Sequence, residues 1–464
     1  MKRLALALAA ASLPTLAAAQ AVAPEAPTSV AESADAALTG DTIAWDFVEG
    51  ITTEVGPRQA GTEAEKRGRD WAVEWLNANG FANVADEPFE METWVRGVET
   101  AEIVSPFPQP FHVTALGNSA STGPEGITAE VVEFESVAAL QAAPAGSLEG
   151  KIAYISNDMT RTQDGSQYGF AGPARWVGAG IAASKGAVAS VIKSVGTDYH
   201  RNPHAGGTSF PEGVSPIPAG ALSNPDAANL ERMFDRAEGP ITMKLVLTPR
   251  DLGTTTSGNV VGEIVGRDPS LPPVLVACHL DSWDLGTGAI DDGAGCGIVA
   301  AAAKHAAAAG QPLRTIRVLM AGAEETGLWG SEAYSEAHID EPIAVGLESD
   351  FGADRVWQFM SNFRESNPDL HAKIAAAVAR FGVSNGTGVA TGGADINIAR
   401  DQETAIIDLQ QDGTRYFDLH HTPDDTLDKV DPVQLRQNVA VWTQVVGILA
   451  NEPGSIKEGP NESE

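Results

Sequence analysis

Five short stretches in the second half of the chain carry residue types that hold metal ions and move protons. They are His279-Leu280-Asp281-Ser282, Asp291-Asp292-Gly293-Ala294-Gly295, Glu324-Glu325-Thr326-Gly327, Glu348-Ser349-Asp350 and His420-His421-Thr422-Pro423-Asp424-Asp425-Thr426. Singly, each has an ordinary explanation. Adjacent aspartates before glycines cap helices, and adjacent glutamates line solvated faces. Together they supply imidazole and carboxylate without thiolate, the donor chemistry of a catalytic zinc site. One such carboxylate can bridge two metals about 3.5–4 Å apart, as two-metal hydrolases require.

The elements around these stretches give them a common address. Val274–Ala277 is an apolar run that predicts a buried strand, and His279 and Asp281 follow it at once. Asp291-Asp292 opens the Ala-rich helix predicted over 295–309. Strand-like Ile316–Ala321 leads to Glu324 and Glu325, and Ile343–Leu347 leads to Glu348 and Asp350. Helices are predicted over 368–381 and 432–450, the latter with Asp431 as cap and Pro432 in the first turn. A further strand is predicted over 405–409. This alternation predicts an α/β fold, a helix-covered, largely parallel sheet. In such sheets the site lies beyond the carboxyl ends of the strands, where these acids and imidazoles converge.

Before residue 98 the pattern is helical, over 45–55 and 62–80, and then strand-like near 90–95. Residues 98–250 are richer in Gly, Pro and Ser. They hold short β-like runs such as 152–155 and 188–192, with helices near 174–183 and 227–237. That pattern predicts a compact β-rich module inserted into the helix-covered domain. The expected organisation is a signal peptide over 1–19, a linker over 20–40, and the first part of the catalytic domain over 41–97. The insert follows over 98–250, the rest of the catalytic domain over 251–452, and a loose acidic tail over 453–464.

The N-terminus has the layout of a secretory signal: Lys2-Arg3, an apolar run from Leu4 to Leu13, and Ala17-Ala18-Ala19 before Gln20. The expected location is therefore outside the cytoplasm, in periplasm or medium. The apolar run is too short for a membrane span, which needs about 20 residues. With 62 acidic against 30 basic residues the net charge is −32, which disfavours nucleic-acid partners. The two cysteines, Cys278 and Cys296, are too few for a disulfide framework, and buried free thiols are the favoured reading.

The five motifs resemble those of the M28 zinc peptidases. The longer strings His279–Gly293 and Gln411–Thr422 look like the carboxypeptidase Q branch of that family. The resemblance covers roughly residues 41–450, includes Gly56-Pro57-Arg58 and Gly61-Thr62, and likens the insert to a protease-associated domain. It implies a mixed-sheet catalytic domain and two zinc ions per chain. His279 and Asp350 would hold one ion, Glu325 and His421 the other, and Asp291 would bridge them. Glu324 would be the general base, and Asp281 would fix the His279 tautomer. His420 would be structural, because the family's ligand directly precedes Thr or Ser. Tyr416, close to His421 in sequence, is a candidate oxyanion donor.

The activity so implied is hydrolysis of short peptides as a carboxypeptidase or dipeptidase, and a homodimer is compatible with it. The nearest rival is an aminopeptidase, which shares the metal core and differs in binding a free α-amine. Amine recognition needs an acid and carboxylate recognition a cation. An acyltransferase of the glutaminyl-cyclase type and a non-catalytic ectodomain are more distant, since ligands for two metals and the base are all present. His112, His200, His204, His305, His338 and His371 fall outside the pattern and read as structural or exposed. The Gly392-Gly393-Ala394-Asp395 turn and the insert's 200–204 stretch are two segments that could reach the site.

Overall fold

The computed structural model describes residues 27–457; the expected signal peptide and the last seven residues lie outside them. Two eight-stranded sheets organise the chain. The first runs in the order Ala82–Val95, Arg250–Ile264, Ile316–Ala321, Val274–His279, Val345–Glu348, Ala405–Gln411, Val356–Ser361 and Ser384–Asn385. Its four central strands are parallel. Outer pairings include antiparallel ones, so the sheet is mixed, as the resemblance implies, rather than parallel throughout. Ala82–Val95 and Arg250–Ile264 pair antiparallel along most of their length, as do Val356–Ser361 and Ala405–Gln411.

Val274–His279 is buried along its whole length, as a strand covered on both faces must be. Ala294–Ala308 covers one face, and eleven of its fifteen residues are buried. Its small side chains let neighbouring backbone approach closely: a Cβ on Gly297 would stand 2.7 Å from the Ala44 carbonyl oxygen. The helix Pro432–Ala450 packs beside it, with Asp431 accepting from the Val433 N–H and Pro432 in the first turn.

The second sheet is built from the stretch of chain that runs from Glu99–Ser105 to Ile241–Leu247, two strands that pair with each other. It has its own core, including Tyr154, Val191, Leu230 and Met243. Its centre is not the simple β module expected. Strands Ile127–Phe134, Ile152–Ile155, Ala189–Lys193 and Ala219–Leu222 run parallel, and parallel strands require crossover connections. Five short helices supply cover. The helix expected over 174–183 breaks at Val177 into Pro173–Trp176 and Gly178–Ser184. Trp94 and Trp283, from the first unit, join this second core and tie the two together.

Three expectations fail here. Residues Val30–Gly40, read as linker, form a helix capped by Ser29, with Ala34 and Ala37 buried. Composition hid it because alanine methyls make a weak stripe, yet they fit closely against the last helix, where Val30 fills the space beside Gly447. The start of the tail is anchored. Arg314 donates to the Glu452 and Gly454 carbonyls, and Ile456 is buried. Finally, Cys278 and Cys296 form a disulfide. Cys278 faces the helix that carries Cys296 in its first turn, a proximity set by packing rather than by spacing in sequence.

Thr62 caps the helix Glu63–Ala78 and leaves Glu65 buried on its inner face. Ser257 Oγ donates to Glu65, and Arg69 lies 3.0 Å away. Burial outweighs Arg69 and raises the Glu65 carboxyl from its ordinary 4.5 to about 7. A raised carboxyl pKa means that the folded state binds the proton more tightly, so its contribution is full below 4.5 and lost as pH rises through 7. Glu65→Gln should therefore gain stability relative to wild type between pH 5 and pH 8 in urea unfolding. An equal difference at both pH values would show that Glu65 does not titrate in this window.

Candidate metal centre

The parallel register aligns the chemistry. His279 sits opposite Ala321, and Glu348 opposite Ala277, so the residues that follow each strand emerge on the same rim. Ala323 adopts a left-handed backbone conformation (φ 57°) just before Glu324, and His421 does the same (φ 61°). Such conformations are sparse for residues with a Cβ and recur where chemistry demands a side chain aimed against the run of the chain.

Asp291 lies at the centre. Its Oδ1 is 3.0 Å from His279 Nε2 and its Oδ2 is 3.2 Å from His421 Nε2. His279 Nε2 is also 3.5 Å from Asp350 Oδ1, and His421 Nε2 is 2.9 Å from Glu325 Oε2. Each imidazole is held from behind by a backbone carbonyl. His279 Nδ1 is 3.0 Å from the Asp281 oxygen, and His421 Nδ1 is 3.1 Å from the Ala205 oxygen. An N–H donated there leaves the Nε2 lone pair facing the cluster.

Asp281 therefore acts differently from the expectation. Its carboxylate is 3.7 Å from His279 Nδ1 and instead accepts the N–H groups of Glu324 (3.0 Å) and Glu325 (3.4 Å). Its backbone oxygen orients the histidine, and its side chain fixes the turn that carries both glutamates.

Burial dominates the electrostatics. It raises the Glu324 and Glu325 carboxyls well above the usual range; Asp350 and Glu325 add to the rise at Glu324, and Asp291 to that at Glu325. Asp350 is raised by burial against the opposing pull of His279. Burial would lower His279, but Asp350, Asp281 and Asp291 raise it well above its ordinary value. Carboxylates crowded in this way call for compensating positive charge. Asp350 Oδ1 is buried with no hydrogen-bond partner. The donor set of two imidazoles and three carboxylates matches zinc, so these residues fit the ion.

Other nearby groups are already engaged. Asp292 approaches His279 and Asp350, but its oxygens accept the N–H groups of His279 and Gly295. His420 stacks on His421 at 3.5 Å, and its Nε2 stays 3.7 Å from Asp291. The six remaining histidines pair elsewhere, for example His204 with Asp198 and His305 with Asp41. Arg58, within the Gly-Pro-Arg stretch, is buried and donates to the carbonyls of Gly56, Leu280, Thr287 and Gly288, pinning the loop between His279 and Asp291. Only its position in that stretch marked it in the sequence.

The cluster opens into a cavity of about 630 Å³. Tyr416 lines it, with Glu324, Glu325, Asp291, Asp350, His420 and His421. Burial raises the Tyr416 hydroxyl well above its ordinary pKa, and Asp291 and Asp350 add to this, keeping it a donor. Asp395 is buried behind the cavity wall. Its N–H donates to Glu348, and its own carboxylate oxygens have no partner. The opposite wall comes from the second sheet: Asn118, Tyr168, Arg175, Trp176 and Gly207–Ser209. No spacing in the sequence pointed to Arg175. The 200–204 stretch itself stays outside, but Ala205, directly after it, touches His421.

Comparison with known proteins bears on this geometry. Residues 259–446 match Peptidase family M28. The chain is 34% identical to carboxypeptidase Q of Bos taurus over 408 residues, covering 86% of this chain and 84% of that protein. A crystal structure of a peptidase M28 precursor from Shewanella amazonensis SB2B superposes with a TM-score of 0.88 at 42% identity, over 93% of this chain and 98% of that one. A zinc aminopeptidase from Bacillus subtilis shares the fold, with a TM-score of 0.62 at 19% identity over 91% and 95% of the two chains. Among the described residues, no helix is long and apolar enough to cross a membrane.

Proposed function

The chain belongs to peptidase family M28 and is a zinc metallopeptidase that hydrolyses peptide bonds; from that premise we propose that it is an exported di-zinc exopeptidase that cleaves short peptides as a carboxypeptidase or dipeptidase. The observation that carries the two-metal reading is Asp291, whose two oxygens face the Nε2 atoms of two different histidines. His279 and Asp350 would hold one ion, Glu325 and His421 the other, with Asp291 shared between them. When bound, the zinc ions supply Lewis acidity that lowers the pKa of water and polarises the scissile carbonyl.

The chain's own groups do the rest. Glu324 takes the proton of the attacking water on its carboxylate and returns it to the leaving amine nitrogen. Asp281 holds the Glu324 backbone N–H, so the base stays aimed into the cavity. The Tyr416 hydroxyl donates to the oxyanion. The second sheet is a protease-associated-like insert over 98–250 that roofs the cavity and keeps bulk water from the reaction. The basic, apolar and small-residue pattern of residues 1–19 supports export.

One tripeptide of three different residues with both termini free tests the reading. We expect release of the C-terminal residue first, abolished by a zinc chelator. Chelator-sensitive release of the N-terminal residue first would make the enzyme an aminopeptidase. An intact tripeptide, with a free dipeptide also left intact, would remove the peptidase reading of this site.

A further inference from the structure

Among the described residues, Arg175 is a buried arginine of the cavity lining with no carboxylate partner. It is 5% exposed, sits on the short helix Pro173–Trp176 of the second sheet, and lines the cavity. Other buried arginines meet acceptors of their own: Arg58 has four carbonyl partners, and Arg69 has the carboxylates of Glu65 and Asp86. Arg175 forms no salt bridge among the described residues. One terminal nitrogen donates to the Tyr168 hydroxyl. The other lies 3.3 Å from His421 Nδ1, but that nitrogen gives its own hydrogen to the Ala205 carbonyl and so has no lone pair to offer. Nε is buried without a partner.

The group is nevertheless firmly held. Its guanidinium carbon is 5.3 Å from the Tyr168 ring centre and 6.0 Å from that of Trp176. Gly206 lies against it so closely that a Cβ there would come within 2.5 Å of Arg175 Cδ and Nε. A buried, preorganised cation without an acceptor is costly unless an anion arrives to meet it, and the planar guanidinium suits a carboxylate.

The remaining cavity wall says which anion. The acids that line it are Asp291, Glu324, Glu325 and Asp350, all assigned to metals or base. None of these lining acids is spare for a substrate ammonium; Asp395, whose carboxylate is unpartnered, lies outside the lining, and Arg175 is the only lysine or arginine within it. It lies at the Nδ1 edge of His421, while the Nε2 edge of the same ring faces Glu325 and Asp291. One imidazole ring therefore stands between the cation and the acids of the metal centre.

We propose that Arg175 binds the free α-carboxylate of the substrate, so that the inserted sheet restricts cleavage to the last peptide bond. The inference rests on the carboxypeptidase reading above and assigns its specificity to one side chain.

The test compares kcat/KM for a tripeptide and for its C-terminal amide, in wild type, Arg175→Gln and Arg175→Lys. Wild type should prefer the free acid by about 10²-fold. In Arg175→Gln that ratio should collapse towards one, and Arg175→Lys should keep part of it. If Arg175→Gln slows both substrates equally and the ratio survives, Arg175 only positions His421 and the proposal falls. It also falls if wild type makes no distinction. These failures leave C-terminal release intact, whereas N-terminal release by wild type would remove the carboxypeptidase reading itself. Should Arg175→Gln not fold, inhibition of wild type decides. An N-acetyl amino acid should compete while its amide does not, and equal inhibition by both would overturn the proposal.

Discussion

Glu324→Gln should bind zinc like wild type and lose about 10²–10⁴-fold in turnover, the usual contribution of a positioned general base, or about 3–5 kcal/mol of barrier. The change keeps the shape of the side chain and its backbone N–H bond to Asp281, so the turn survives. What disappears is the proposed proton acceptor in a cavity whose other acids are assigned to the metals. Zinc content by plasma emission and kcat on the tripeptide separate the two effects. Near wild-type turnover with full metal content would remove Glu324 from the role of base. Loss of zinc alongside turnover would make it a ligand instead.

Asp291→Ala should be worse for the protein as a whole. Asp291 is 4% exposed and stands between both histidines. Its removal takes a donor from each metal position and leaves Glu324, Glu325 and Asp350 crowded without their bridge. Wild type should gain about 4 kcal/mol of stability at a zinc concentration a thousand times Kd, visible as a Tm rise on adding metal to chelated protein. The variant should show little of that rise and no detectable peptidase turnover. A metal-dependent Tm rise equal to that of wild type would refute the bridging role.

Much of this site was legible along the chain, for a physical reason. In a sheet whose central strands run parallel, strand ends project to one rim, so an acid or histidine just after each apolar run needs only the fold class to be placed. His279, Glu324, Glu325 and Asp350 are of this kind. Asp291 as a shared ligand and His421 over His420 came only from the family resemblance, in which the ligand directly precedes Thr or Ser. Secondary structure was readable where apolar runs were long, as in 274–279 and 316–321. It was misread where small residues packed closely, as in the Val30–Gly40 helix.

What the sequence determined alone was the chemistry available: imidazoles and carboxylates at strand ends, in a family with recognisable motifs. What only tertiary structure decided was everything that depends on contacts distant along the chain. The Cys278–Cys296 bond needed a helix to lie on a strand. The role of Asp281 depended on where the Glu324 turn came to rest. Arg175, from a helix beside the second sheet, reaches His421 across 246 positions of sequence. Local pattern reports which groups a segment offers; which charges end up facing one another without water is set by packing between segments, and that packing has no local signature.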